Sequence, residues 1–198
     1  MAGRFIVFEG IDASGKSTQA RRLAQEIGGL FTFEPGDTPL GADLRRWLLD
    51  AATPMTPQTE SLLMLADRSH HVASVIAPTL ASGQHVVADR FFASTLAYQG
   101  YGRGVDLEAL RSATDLAIGD CRPDKIILID IDVDTANERR ARNHEDRFES
   151  ADVDFHQRLR TGYLTMAEEN PDVWVVLDGR PSFDDVAAAI DAVVRPLL

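Results

Sequence analysis

The chain is poor in cysteine, in lysine and in long apolar runs. One cysteine, Cys121, stands among its 198 residues, so no disulfide closes within the chain and a cysteine-based metal cluster is excluded. Cys121 lies beside an Arg-Pro pair with no histidine patterned as its partner, and it reads as structural. No apolar run approaches the roughly 20 residues that cross a bilayer, so a membrane is not an expected partner. The opening MAGRFIVFEG holds too short an apolar stretch for a signal peptide and runs straight into a glycine loop. The expected location is cytoplasmic. The five histidines (His70, His71, His85, His144 and His156) show no metal-ligand spacing and read as structural or surface residues. Basic charge is scarce, with 20 Lys and Arg against 31 Asp and Glu and a net charge of −11. Such a surface repels a long phosphate backbone, so nucleic acid is not an expected partner either.

What basic charge there is belongs mostly to arginine, because Lys16 and Lys125 are the two lysines. Arginine's planar fork suits bidentate phosphate contact, and a few such side chains can build a local positive pocket on an acidic protein.

Apolar runs and helical periods alternate along the chain. Residues 4–9, 30–33, 85–89, 125–131 and 173–177 read as buried strands. Helical patterns fill residues 15–27, 39–50, 60–80, 94–99, 106–118, 133–142, 154–169 and 183–194, the last capped by Ser182. In the second of these, Leu40, Leu44, Trp47 and Leu48 recur at helical spacing. Strands that are apolar along their whole length and alternate with helices predict an α/β fold. The expected core is a five-stranded parallel sheet flanked by helices on both faces. No repeat or linker interrupts the chain, so residues 1–198 are read as one domain with a polar lid segment at about 139–152.

Between the first strand and the first helix stands Gly10-Ile11-Asp12-Ala13-Ser14-Gly15-Lys16-Ser17, which matches the phosphate-loop pattern G-x-x-x-x-G-K-[ST]. Glycines let the backbone turn tightly and point its N–H groups at an anion, and the helix adds its positive end. Lys16 is expected on the β- and γ-phosphates of a nucleotide and the Ser17 hydroxyl on Mg²⁺, with Thr18 continuing the loop. The loop alone names no reaction. Asp89 and Arg90 end the third strand, where an α/β sheet places its ligand crevice. There an Asp can hold a metal or its water and an Arg a phosphate; a surface ion pair closing the strand is the plainer alternative. Arg139, Arg140, Arg142 and Arg147 surround the polar segment 143–152 and suit a lid that closes over transferring phosphates. Arg139 alone reads as a solvated helix end. Asp12, a carboxylate beside polyphosphate, needs a role of its own, such as contact with an acceptor's sugar hydroxyl or a metal-bound water.

Taken in order, FEGIDASGKST, EPGDTPLGADLR, ADR at 66–68, DRFFASTLAYQGYGRG, RPD at 122–124 and DRFE at 146–149 resemble the thymidylate kinase family, in its bacterial branch, over nearly the whole chain. The resemblance implies a phosphate-loop kinase fold and transfer of the γ-phosphoryl of ATP to dTMP, with Mg²⁺. It implies that Arg45 and Arg90 hold the dTMP phosphate and that Arg68 bonds thymine. Thr95 and Gln99 fall at the base's polar edge, Tyr98 beside the sugar and Asp12 near the 3′-hydroxyl. It also implies a homodimer, with the 60–80 helix as a contact surface.

Some family members carry a basic residue directly after the loop carboxylate, and others draw catalytic arginines from the lid. Here that position is Ala13, which moves the expected charge to Arg142, with Arg140 and Arg147 supporting. Direct in-line attack by the phosphate oxygen is expected, without a phosphoenzyme. Two further departures concern the base. Phe33 stands where relatives carry Arg before Glu-Pro-Gly, and Met64 stands where they stack a Phe on thymine; Phe33 or Phe92 is the alternative aromatic. A kinase for another monophosphate such as dUMP, or a nucleotide-dependent switch, are the competing readings.

Overall fold

A computed structural model describes residues 2–50, 52–140 and 153–198 of the chain. Its five strands are β1 (Phe5–Glu9), β2 (Leu30–Phe33), β3 (Val86–Asp89), β4 (Lys125–Asp130) and β5 (Trp174–Asp178). They pair in the order β2-β3-β1-β4-β5, and every pair is parallel. β1 is buried on both faces along its whole length, which is why FIVFE carries no alternation of polar and apolar residues.

Helices cover both faces. On one side α1 (Lys16–Glu26) and α9 (Phe183–Val194) pack Leu23, Ala24, Ile190 and Val194 against Ile6, Phe8 and Ile127. On the other side α6 (Leu107–Ile118) and α8 (Val153–Glu169) pack Leu110, Ile118, Leu159 and Met166 against Phe5, Val7 and Ile126. The odd and even positions of one strand thus serve two separate cores. The Ser182 hydroxyl accepts a hydrogen bond from the Asp185 amide and caps α9.

α2 (Pro39–Leu49) starts at the Thr38 cap, whose side chain accepts from the Gly41 amide. Leu44 and Leu48 turn inward, but Leu40 and Trp47 are 47% and 57% exposed, so the apolar stripe of this helix is buried along one edge only. The pattern expected as one helix at 60–80 is a sequence of three pieces. α3 (Pro57–His71) passes through a π-helical segment, Val72–Ile76, into α4 (Ala77–Ala81). The short helix expected at 94–99 likewise becomes α5 (Phe92–Thr95) followed by π-helical Leu96–Gly102. A π turn adds one residue without altering which residue types line it, so a 3.6-residue period cannot announce it. α7 (Val133–Arg140) and a closing 3-10 turn at Arg195–Leu197 complete the described elements.

Candidate active site

The loop that follows β1 is strained where it turns. Gly10 and Gly15 take φ of 145° and 93°, and a Cβ on Gly10 would stand 2.6 Å from the Ile129 carbonyl oxygen. Ala13 holds φ of 65° without a glycine's freedom. No side chain caps α1 at Gly15, so the amides of its first turn remain available to an anion. Ala13, Gly15, Lys16, Ser17 and Thr18 line a surface recess together with Arg139. Gly10, Ile11 and Ser14 stand behind it, with the Ser14 amide donating to the Ile11 carbonyl at 3.3 Å.

Arg139 departs from the expectation of a solvated helix end. It donates to the Ala13 carbonyl at 3.3 Å and to the Gly179 carbonyl at 3.0 Å, tying the loop to the turn after β5. The carbonyls that attract it belong to segments 126 and 40 residues away, a pairing no local pattern displays. Arg142 and Arg147, with most of the expected lid, lie outside the described residues, and the Arg140 side chain is likewise not described.

Beside the recess, at the carboxyl ends of β1 and β3, opens a cavity. Its lining brings together Asp12, Arg45, Met64, Arg68, Arg90, Thr95, Tyr98 and Gln99, along with Glu34, Pro35, Leu49, Asp67 and Ser94. Of the three side chains considered for base stacking, Met64 lines this cavity. Phe92 lines a separate recess with Trp174, and Phe33 sits 5.6 Å from the Arg45 guanidinium.

Asp12 joins the two spaces. One carboxylate oxygen meets the Lys16 ammonium at 3.5 Å and the Arg90 guanidinium; the other accepts from the Tyr98 hydroxyl at 2.7 Å. Burial alone would raise the Asp12 carboxyl, but the charges of Arg90 and Lys16 and the Tyr98 hydrogen bond outweigh it and hold the group below the ordinary carboxylate range. Burial, with Arg90 nearby, pushes the Lys16 ammonium below its usual value. A phosphate entering there supplies the negative charge that the pair of cations lacks.

Arg90 itself sits at φ of 72°, a left-handed backbone that a long side chain rarely adopts. It is over-determined from behind. Its guanidinium donates to the Gly10 carbonyl (3.2 Å), Ser94 Oγ (3.1 Å) and Tyr163 OH (3.2 Å). Below these lies Glu9, wholly buried, which accepts from the Phe91 amide, Ser94 Oγ and Tyr163 OH at 3.0, 2.7 and 3.1 Å. Burial pushes the Glu9 carboxyl up, against the Ser94 hydrogen bond and the Arg90 charge. Sequence reading missed Glu9, Ser94 and Tyr163; Glu9 and Tyr163 stand 154 residues apart.

Arg68 is fixed in the same way. It is 2% exposed and donates through Nε to Glu34 Oε2 at 2.8 Å, while the other Glu34 oxygen lies 2.9 Å from His71 Nδ1. His71 Nε2 continues to Thr32 Oγ1 at 2.6 Å, so this histidine has a buried supporting place. Asp67, next to Arg68, is buried, and burial with the Glu34 charge raises its carboxyl to about 6. Arg45 stands at the mouth, where NH1 donates to the Pro35 carbonyl at 2.7 Å.

A divalent cation would find oxygen donors here. Asp89 Oδ1 is buried without a hydrogen-bond partner among the described residues, and Ser17 lies in the loop recess. A carboxylate, a hydroxyl and phosphate oxygens are the donor set a hard cation such as Mg²⁺ takes. Burial pushes the Cys121 thiol up to about 11, which leaves it unreactive near neutral pH.

The chain's likenesses agree with this geometry. The sequence profile of the family described as thymidylate kinase matches residues 8–190. The thymidylate kinase of Desulforudis audaxviator (strain MP104C) is 44% identical over 205 residues, spanning 100% of this chain and 93% of the relative. That of Cupriavidus metallidurans (strain CH34) is 43% identical, with 100% of both chains covered. Among solved structures, the thymidylate kinase of Ehrlichia chaffeensis superposes with a TM-score of 0.81 at 32% identity, covering 98% of this chain and 99% of that one.

Proposed function

This chain belongs to the thymidylate kinase family, and we propose that it transfers the γ-phosphoryl group of ATP to dTMP, giving dTDP and ADP. The observation that carries the reading is the placement of Asp12. It touches Lys16 of the phosphate loop and Arg90 and Tyr98 of the cavity at once, so donor and acceptor sites share a wall. A nucleotide switch needs the loop recess alone; two adjoining anion-ready spaces suit a reaction with two phosphorylated substrates.

In this reading residues 10–18 cradle the ATP phosphates, and Arg140 and Arg147 are assigned to the same ligand. Arg45 and Arg90 orient the dTMP phosphate, Tyr98 and Asp12 meet its sugar, and Arg68, Thr95 and Gln99 meet its base beside Met64. That phosphate is already anionic near neutral pH, so no strong general base is required. Catalysis is then positioning and charge neutralisation by Lys16, Arg90 and the lid's Arg142, with attack in line and no phosphoenzyme. Ser17 and Asp89 would hold Mg²⁺, which would supply positive charge to offset the charge developing on the phosphates.

A homodimer in the cytoplasm completes the proposal. Leu40 and Trp47 on α2 and Leu62, 65% exposed, on α3 give an apolar surface consistent with a partner copy. No helix among the described residues is long and apolar enough to cross a membrane.

Coupled measurement of ADP release with ATP, Mg²⁺ and a panel of monophosphates tests the function. Acceptor-dependent release fastest with dTMP is the expected result. Release that no acceptor accelerates would overturn the kinase reading, and preference for dUMP would overturn the substrate.

A further inference from the structure

Gln99 is 1% exposed, and its two amide atoms meet very different surroundings. Nε2 donates to Glu60 Oε1 at 2.8 Å, and the same carboxylate oxygen accepts from Arg103 Nε at 2.8 Å. Glu60 lies on α3 and is wholly buried; Arg103 follows the π-helical segment that carries Gln99. A carboxylate paired with a guanidinium has no proton to give. The amide therefore must turn its NH₂ toward Glu60, and the usual ambiguity between amide oxygen and nitrogen is removed. What is left is Gln99 Oε1, buried without a partner among the described residues, on a side chain that lines the acceptor cavity.

Arg68 supplies the complementary group on the same cavity wall. Three of its five N–H groups go to Glu34, Thr95 and the Phe91 carbonyl at 2.8, 2.9 and 3.0 Å. The other two have no acceptor among the described residues. The cavity thus offers a cationic donor at Arg68 and a lone acceptor at Gln99. A pyrimidine with an oxo group at C4 and a proton on N3 satisfies both. A 4-amino pyrimidine inverts both positions, setting acceptor against acceptor and donor against donor.

We infer that Glu60, held by Arg103, is a positioning residue that fixes the polarity of the Gln99 amide and thereby selects 4-oxo over 4-amino pyrimidine monophosphates. The inference rests on the function proposed above and adds to it the buried group that sets base polarity. It leaves dTMP and dUMP alike at this edge, since both carry the same N3–H and O4.

The test uses the full-length protein and compares dTMP with dCMP by titration calorimetry and by kcat/KM. Glu60→Gln is nearly isosteric and lets the amide at 99 present either end. The preference for dTMP over dCMP should fall about tenfold, the scale of one buried hydrogen bond inverted, mainly through weaker dTMP binding. KM for ATP and kcat with saturating dTMP should stay within about twofold. Arg103→Gln, which alters a less buried partner, should move the preference the same way and decides the matter if Glu60→Gln does not fold. In a Gln99→Ala background, Glu60→Gln should change the preference no further, because Glu60 acts through Gln99. An unchanged preference in the folded variants, or the same fall in the Gln99→Ala background, would overturn the inference alone. A wild-type protein that phosphorylates no pyrimidine monophosphate would overturn the function beneath it as well.

Discussion

At the scale of single residues, the site is a set of charges held in place by buried neighbours. Asp67 shows what this costs. Its carboxyl is raised to about 6 by burial and by the Glu34 charge, whereas in the unfolded chain it titrates near 3.8. A raised carboxyl favours the folded state fully only below the unfolded value, and that contribution is lost as pH climbs through about 6. At neutral pH the charged form then costs about 2–3 kcal/mol. Asp67→Asn should therefore raise Tm at pH 7.5 by several degrees, with the gain shrinking to nothing near pH 4; thermal melts across that range check it. A gain that is constant with pH would point to packing instead.

Tyr163 makes a second case at this scale, because its hydroxyl serves both Arg90 and Glu9. Tyr163→Phe leaves both buried charges short of a partner, a loss of about 1–3 kcal/mol. The expected outcome is a drop of about tenfold in kcat/KM for dTMP, with ATP binding measured by calorimetry unchanged.

At the scale of elements, the cavity depends on a segment that is not a regular α-helix. The π-helical stretch Leu96–Gly102 carries Tyr98 and Gln99 and packs on α8 through glycines. A Cβ on Gly162 would come within 2.5 Å of the Tyr101 ring. Gly162→Ala should push α8 away from this stretch, lowering stability by about 1–3 kcal/mol and raising KM for dTMP more than KM for ATP. Denaturant unfolding and steady-state kinetics on the same preparation check the pair of effects. The lid proposed around Arg142 belongs to this scale too. Arg142→Ala should lower kcat while leaving dTMP affinity nearly intact, and a change in affinity alone would contradict the role proposed for it.

At the scale of the whole molecule, the strand positions and the phosphate loop were legible because they depend on local runs, whereas the order β2-β3-β1-β4-β5 was not. FIVFE, LFTF and KIILID each hold a short, mainly apolar run, and GIDASGKS carries its own backbone chemistry. Eight of the groups lining the cavity were named from the likeness of ordered motifs, and the structure gathers them around one space; Glu34, Pro35, Leu49, Asp67 and Ser94 were not among them. The supporting groups were not legible. Glu9 with Tyr163, Glu60 with Gln99 and Arg139 with Ala13 are pairs separated by 154, 39 and 126 residues. No spacing encodes such contacts; the crossovers of the parallel sheet create them. The π turns were hidden for a different reason, since they change the hydrogen-bond ladder without changing residue type.

The central claim is that the recess at Lys16 and the cavity at Arg90 hold two substrates of one transfer, joined at Asp12. Single-turnover reaction with ATP labelled at its γ-phosphoryl, with and without dTMP, tests it most directly. The label should pass to dTDP, only when dTMP is present, with none retained on the protein. Label released as free phosphate at one rate, whether or not dTMP is added, would contradict it.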